Sequence, residues 1–124
     1  MINMISIIIG GAIGSLARFF LTGFVHNFFN RDFAYGTVTV NMLGCFLIGF
    51  IAGVADKINI PRSIEVLLVI GFCGAFTTFS TFMLETSEMM RNGQNLFAFL
   101  NIAISVVLGF VLLRIGVSLG ELIG

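Results

Sequence analysis

The chain has 124 residues, of which 58% are hydrophobic and only 10% are charged, and its formal net charge is zero. Soluble domains carry about 25% charged residues, so this composition excludes an ordinary soluble domain and indicates an integral membrane protein. Nothing in the charge balance favours a nucleic-acid partner, because the sequence contains no basic patch. The length fits a single domain, which we expect to cover residues 1–124.

Four apolar segments divide the chain, each close to the ~20 residues that a helix needs to cross the hydrocarbon core. They are predicted at about Ile2–Val25, Ala34–Val54, Ile64–Met83 and Leu96–Leu119. Pro61 is predicted in the first turn of the third helix, where its missing N–H costs no hydrogen bond. The N-terminus has no positive region and no cleavage site, so no signal peptide is expected. The predicted fold is therefore all-α, with four transmembrane helices.

Glycines spaced four residues apart occur in three of the four segments. They form the pairs Gly10 and Gly14, Gly49 and Gly53, and Gly116 and Gly120. Small residues at this spacing let two helix backbones approach closely within a membrane, so we expect tight helix contacts at these pairs. Four helices of this length enclose an aqueous path poorly by themselves, so an oligomer is also expected.

The positive charges give no preferred orientation in the membrane. The connectors on one side would hold Lys57 and Arg62, and those on the other side Arg31 and Arg91. The positive-inside rule needs an excess on one side, and here the two sides are equal. Either the protein has too few charges to judge, or both orientations insert and pair as an antiparallel dimer. In the second case, symmetry supplies the inverted repeat that many transporters build within one chain.

The stretch Gly71–Phe82 in the third segment is unusual for a lipid-facing helix, because it combines phenylalanines with hydroxyl side chains. Glycines and β-branched residues weaken regular helix between Gly74 and Thr78. Carbonyl groups freed there would need a partner other than lipid. On a continuous helix, the two stripes of this stretch would be Phe76, Phe79 and Phe82, and beside them Thr77, Ser80 and Thr81. This pattern indicates a pore lining.

The deep polar residues indicate the charge of the species that such a pore would carry. Arg18 is the only charge deep in the first segment, where an arginine either faces a protein or water interior or snorkels to the interface. Asn41, near the middle of the second segment, either bonds a neighbouring helix or offers two amide donors to an anion. No Asp or Glu is predicted at mid-membrane, so the inventory favours an anion.

Catalysis has no candidate residues in this chain. The sequence shows no nucleophile paired with a base, no phosphate-binding loop and no cluster with metal-ligand spacing. Cys45 and Cys73 both lie within apolar segments and are expected to be buried thiols rather than a disulfide or a metal site. We therefore expect a protein that is not an enzyme.

Three motifs together resemble those of the Fluc (CrcB-type) fluoride channels, in the order and at the spacing of that family. They are Gly10–Phe19, Gly36–Gly44 and Gly71–Phe82, and the last is the most specific. The resemblance implies four transmembrane helices, with the third broken at mid-membrane, in an antiparallel dual-topology homodimer with two pores. It also implies selective, passive export of fluoride from the cytoplasm, across a bacterial inner or plasma membrane.

The resemblance further implies roles for individual residues. The residues that it places along the fluoride pore are Asn41, Phe79, Ser80, Thr81, Phe82 and Ser105. Among them, Phe79 and Phe82 would direct their ring edges at the anion, and Ser105 is the candidate from the fourth helix. It places Arg18 near the pore vestibule, and it implies a structural Na⁺ at the dimer centre, held by the backbone carbonyls of Gly74 and Thr77.

Two other functions stay open on the residues alone. A small dual-topology multidrug-type exporter of cationic compounds would need an essential carboxylate within the membrane, and none is predicted. A non-transporting membrane scaffold would use the glycine pairs only to pack against partners, and it predicts no ion flux from purified protein.

Overall fold

The structure is a computed structural model that describes residues 1–30 and 32–124, and this part of the chain is helical without any strand. Four spans are long and apolar enough to cross a membrane, which confirms the predicted number. They are Ile2–His26, Tyr35–Ala55, Arg62–Arg91 and Asn95–Ile123. The third span continues past the predicted end at Met83, because its last two turns carry polar and charged residues that an apolar pattern does not detect.

The helices are numbered in chain order. The first, second and fourth spans are single helices, which are α1 (Ile2–His26), α2 (Tyr35–Ala55) and α6 (Asn95–Ile123). The third span has several parts, which are α3 (Arg62–Glu65), a π-helix (Val66–Cys73), α4 (Gly74–Phe76) and α5 (Phe79–Arg91). In the π-helix each turn is one residue wider than in an α-helix, and the N–H of Gly74 donates to the Val69 carbonyl.

Thr77 and Thr78, between α4 and α5, have an extended backbone. Their φ and ψ angles are −87° and 156° for Thr77, and −148° and 111° for Thr78. We call these two residues the extended pair. Thr78 begins α5, since its hydroxyl accepts a hydrogen bond of 3.3 Å from the N–H of Thr81, as an N-cap does.

The extended pair overturns the continuous aromatic stripe that was predicted for Phe76, Phe79 and Phe82. Phe76 stacks on Phe72 within the first part of the span, with ring centroids 5.4 Å apart. Phe79 packs on Phe82 within α5, at 5.8 Å. The spacing argument failed because it required one uninterrupted helix, whereas the extended residues change the direction and register of the chain.

The connector before α3 also differs slightly from the prediction. Pro61 lies just before the helix, at its N-cap, with φ −54° and ψ 136°, and not in the first turn. The extended ψ is the usual geometry of a residue that leads into a helix. Arg31, which entered the charge count of the opposite connectors, lies outside the described residues.

The glycine pairs lie at close helix crossings, as predicted. A Cβ atom added at any of these six positions would overlap a backbone carbonyl of the facing helix. Gly10 and Gly14 meet Leu67 and Phe72, Gly49 and Gly53 meet Leu113 and Val117, and Gly116 and Gly120 meet Phe46 and Phe50. Helices α2 and α6 therefore form one tightly packed pair, and α1 packs equally closely on the π-helix.

Candidate functional site

Two cavities meet at the extended pair. The larger one has a volume of about 770 Å³ and lies between the C-terminal half of α1 and the start of α5. We call it the mouth cavity. The smaller one, the middle cavity, has a volume of about 360 Å³ and is bordered by α2, the π-helix and α6. Thr78 lines both cavities, so the extended pair forms the boundary between them.

The middle cavity brings together most of the residues that the sequence singled out. These are Asn41, Gly74, Thr77, Phe79, Phe82 and Ser105. Phe82 is only 6% exposed, whereas Phe79 is 73% exposed, so the Phe79 ring lies on the open side of the cavity. The edges of both rings carry partial positive charge. The Ser105 hydroxyl is buried and has no hydrogen-bond partner among the described residues, so it can donate to a species in the cavity.

The side chain of Asn41 is bonded to the backbone of Thr78 through both ends of its carboxamide. Its Oδ1 accepts from the Thr78 N–H at 2.8 Å, and its Nδ2 donates to the Thr78 carbonyl at 3.1 Å. Of the two alternatives that the sequence left open for Asn41, the structure shows the bond to a neighbouring span, and this bond uses one of the two amide protons. The other proton is left for a second acceptor.

The backbone carbonyls of Gly74 and Thr77 lose their usual helical donors at the extended pair. In an unbroken helix, Gly74 would accept from the N–H of Thr78 and Thr77 from the N–H of Thr81. Here the N–H of Thr78 donates to Asn41 Oδ1, and the N–H of Thr81 donates to the Thr78 hydroxyl. Uncommitted carbonyl oxygens are ligands that hard cations prefer, so both groups fit the cation site that the sequence resemblance implies.

The mouth cavity contains Arg18, which the resemblance places near a vestibule, and Thr81, which it places along the pore. Three of the other polar side chains in this cavity come from three different helices. These are His26 from α1, Thr37 from α2 and Glu85 from α5. Thr37 donates its hydroxyl to Glu85 Oε1 at 2.7 Å, while Glu85 Oε2 is buried with no partner in the described part of the chain. The mouth thus holds an arginine, an imidazole and a carboxylate.

Glu85 was not recognised from the sequence as part of the site, because it was placed near the helix end by hydropathy alone. A signal was available, however. Glu85 follows Phe82 by three residues, which puts the two on neighbouring faces of one helix. In the structure its carboxylate faces the mouth cavity at the level of Thr37.

A buried polar side chain of α6, which the sequence indicated only as a deep polar residue, ties Phe82 to α6. Asn101 is fully buried and donates its Nδ2 to the Thr86 hydroxyl oxygen at 2.9 Å. Thr86 in turn donates to the Phe82 carbonyl at 2.7 Å. The relay fixes the turn of α5 that carries Phe82 against the fourth span.

Two predicted pore residues lie apart from the middle cavity: Thr81 lines the mouth cavity, and Ser80 is not brought to either group. It is exposed and lines neither the mouth cavity nor the middle cavity. In α5 the residues that face the two cavities are Phe79, Thr81, Phe82 and Glu85. Ser80 lies on the outer side of that turn, because the helix register restarts after Thr78.

The four apolar spans, with two cavities that polar residues line between them, define a small multi-pass membrane protein. Residues 5–117 match the family model described as "CrcB-like protein, Camphor Resistance (CrcB)". The chain belongs to this family, as the three motifs indicated, and it is a protein of the cell membrane.

Relatives of the chain carry the name "Fluoride-specific ion channel FluC". The one from Solidesulfovibrio magneticus is 42% identical over 119 residues, which are 94% of each chain. That from Maridesulfovibrio salexigens is 40% identical over 115 residues, 92% of this chain and 91% of the relative. That from Hydrogenovibrio crunogenus is 40% identical over 121 residues, 97% of this chain and 92% of the relative. The family is thus one of ion channels and not of enzymes.

Proposed function

We propose that this protein is a passive, fluoride-selective channel that exports fluoride from the cytoplasm. The observation that carries the proposal is the middle cavity, where Phe79, Phe82 and the donors of Asn41 and Ser105 converge. The relatives named fluoride-specific ion channels support the choice of anion, since the donor set alone favours an anion without distinguishing fluoride from chloride.

The residues of the path suit a small anion that loses part of its hydration shell. Arg18 in the mouth cavity raises the local concentration of anions. Thr81 offers a hydroxyl in the mouth cavity, next to Thr78 at the boundary between the two cavities. The middle cavity then offers the remaining Asn41 N–H, the Ser105 hydroxyl and the ring edges of Phe79 and Phe82. Together these groups replace water donors along the path. Neutral HF that enters a cell ionises there, and an inside-negative membrane potential then drives the anion out.

We place two such pores in an antiparallel homodimer. Phe79 is exposed over most of its surface although it borders the middle cavity, so a second copy is needed to close that side. The equal numbers of positive residues in opposite connectors, Lys57 and Arg62 against Arg31 and Arg91, are compatible with insertion in both orientations.

A structural Na⁺ at the centre of the dimer is the partner proposed for the carbonyls of Gly74 and Thr77. A cation bound there would supply the positive charge that balances these carbonyl dipoles. Their availability depends on this chain's own residues, because Asn41 and the Thr78 hydroxyl take up the competing N–H donors. We expect dialysis into Na⁺-free buffer to lower fluoride flux, and flux that is indifferent to Na⁺ would remove this assignment.

The pore assignment is tested with Phe79→Ile and Phe82→Ile, measured as fluoride efflux from proteoliposomes. Both variants should abolish efflux while the dimer still forms, because isoleucine has no ring edge to meet the anion. Phe99→Ile is the matched control, since Phe99 is 66% exposed on α6 and lines neither cavity. Full efflux from both pore variants would refute the assignment.

Glu85 is the residue that an exporter of cationic compounds would use as its membrane carboxylate. An exporter of cationic compounds needs a carboxylate within a membrane span, and the half-buried Glu85 lies in one and faces the mouth cavity. Proton-coupled efflux of a cationic dye, abolished by Glu85→Gln, would support the exporter. We expect no such efflux, because Thr37 already holds one oxygen of this carboxylate and Arg18 shares the cavity.

A further inference from the structure

The two hydrogen bonds between Asn41 and Thr78 have the form of a peptide-to-peptide pair. One side-chain oxygen accepts from the Thr78 N–H at 2.8 Å, and one side-chain nitrogen donates to the carbonyl of the same residue at 3.1 Å. A neighbouring strand would offer the same acceptor and donor to an extended residue. The carboxamide of α2 therefore takes the place of a strand partner inside a helical protein.

This pairing matters because of the environment in which it occurs. An unpaired backbone N–H or carbonyl within a membrane span is strongly unfavourable, because lipid offers it no hydrogen-bond partner. The N–H of Thr78 has a competing acceptor in the Gly74 carbonyl, which it would reach if the backbone returned to helix. Asn41 pairs both backbone groups of Thr78 and removes the penalty at that residue, which shifts this balance away from the continuous helix.

A second contact from α2 supports the same geometry. Gly44 lies one turn after Asn41, and a Cβ atom at this position would overlap the Cγ2 methyl of Thr77. Thr77 also donates both its N–H and its hydroxyl to the Cys73 carbonyl, at 3.1 and 2.9 Å. Helix α2 thus contacts both residues of the extended pair. Thr77 packs against Gly44, and Thr78 is hydrogen-bonded to Asn41.

We propose that Asn41 is a positioning residue that holds the third span extended at Thr78. By doing so it frees the carbonyls of Gly74 and Thr77 and sets the register in which Phe79 and Phe82 reach the middle cavity. Its remaining N–H can still meet an anion, but the larger role is exerted on the backbone. The proposal rests on the proposed channel function only for its flux measurement.

The test uses ¹³C-threonine-labelled full-length protein in lipid bilayers without fluoride, since Cα and Cβ chemical shifts of Thr78 report its backbone conformation. The wild type should give the shifts of an extended residue. Asn41→Leu removes both hydrogen bonds and should move the Thr78 signals toward helical values or average them. Asn41→Asp keeps the acceptor and loses the donor, and it should give a smaller displacement. The matched control is Phe99→Ile, which changes an exposed side chain that lines neither cavity and should leave both the Thr78 signals and fluoride efflux unchanged.

Fluoride efflux of the same samples completes the experiment. We expect efflux to fall with the displacement of the Thr78 signals, so that Asn41→Leu loses more than Asn41→Asp. Wild-type Thr78 signals in either folded variant would overturn the proposal, and lost efflux with unchanged signals would assign Asn41 to the anion alone. If Asn41→Leu does not fold, the Thr78 signals of Asn41→Asp decide whether Asn41 holds the backbone extended. A wild type that conducts no fluoride would refute the channel function, while the Thr78 signals would still decide the role of Asn41.

Discussion

Asn101 is the most deeply buried polar side chain that the structure describes, with no exposed surface. Its amide donates to Thr86, whose hydroxyl donates to the carbonyl of Phe82. A buried polar group contributes little net stability when it is paired and is costly when it loses its partner. The relay therefore acts chiefly as a constraint on the turn of α5 that carries Phe82.

Thr86→Val is the variant that tests this relay. It preserves the shape of the side chain and leaves the Asn101 amide without an acceptor, so we expect a loss of about 1–3 kcal/mol in unfolding free energy. Thr86→Ser keeps the hydroxyl and should lose less. The measurement is thermal unfolding of purified protein in detergent. Equal stability of Thr86→Val and the wild type would show that the relay does not constrain the fold.

The site residues that could be predicted are those whose chemistry is evident in one segment. Asn41 stood out because an amide within an apolar segment needs a partner other than lipid. Phe79 and Phe82 stood out because they belong to the motif that resembles the family, and the middle cavity contains all three. Ser80 is the opposite case. It belonged to the predicted hydroxyl stripe with Thr77 and Thr81, but it lies outside both cavities. Its position depends on the register after Thr78, which no local pattern specifies.

At the scale of elements, the α2–α6 pair shows how closely two helices pack when glycines face carbonyls. Gly116 is a clear example, because an added Cβ would overlap the Phe46 carbonyl and lie 2.8 Å from the backbone N of Phe50. Backbone atoms cannot rotate away as a flexible side chain can. The two helices must therefore separate to admit even a methyl group.

Gly116→Ala should accordingly destabilise the protein by about 1–3 kcal/mol, the usual cost of overpacking. Gly23→Ala is the matched control within α1, where an added Cβ meets nothing within 4 Å, and it should raise helix stability by up to about 1 kcal/mol. Both are compared by thermal unfolding. A Gly116→Ala protein as stable as the wild type would contradict the close crossing.

The four spans and the glycine crossings were predictable, since both follow from hydropathy and from small-residue spacing. The extended pair illustrates the limit. Local sequence indicated weak helix near Gly74 and Thr78, but the position of the extended residues is set by Asn41, which is 37 residues earlier in the chain. The π-helix of Val66–Cys73 has no marker in its sequence, because its residues are ordinary apolar ones.

At the scale of the whole molecule, the account makes a prediction about orientation. If both orientations insert, a single cysteine added to the connector between α2 and α3, in a chain without Cys45 and Cys73, should react with an impermeant reagent from both faces of the membrane. A connector cysteine that is blocked completely from one face only would rule out dual topology. Residues at 56–59 are exposed, so the reagent can reach them in either orientation.

The large-scale arrangement could be predicted only in part. The number of spans follows from composition, but the division into a mouth cavity and a middle cavity required the structure, because His26, Thr37 and Glu85 come from three different helices. The choice of fluoride depends on family membership and not on the geometry of the cavities.

The measurement that tests the central claim most directly is fluoride efflux from proteoliposomes, read with a fluoride electrode, with chloride efflux followed in parallel. The account predicts rapid fluoride release when a K⁺ ionophore is added, with chloride retained inside. Retention of fluoride by well-folded protein, or equal release of both anions, would contradict a fluoride-selective channel.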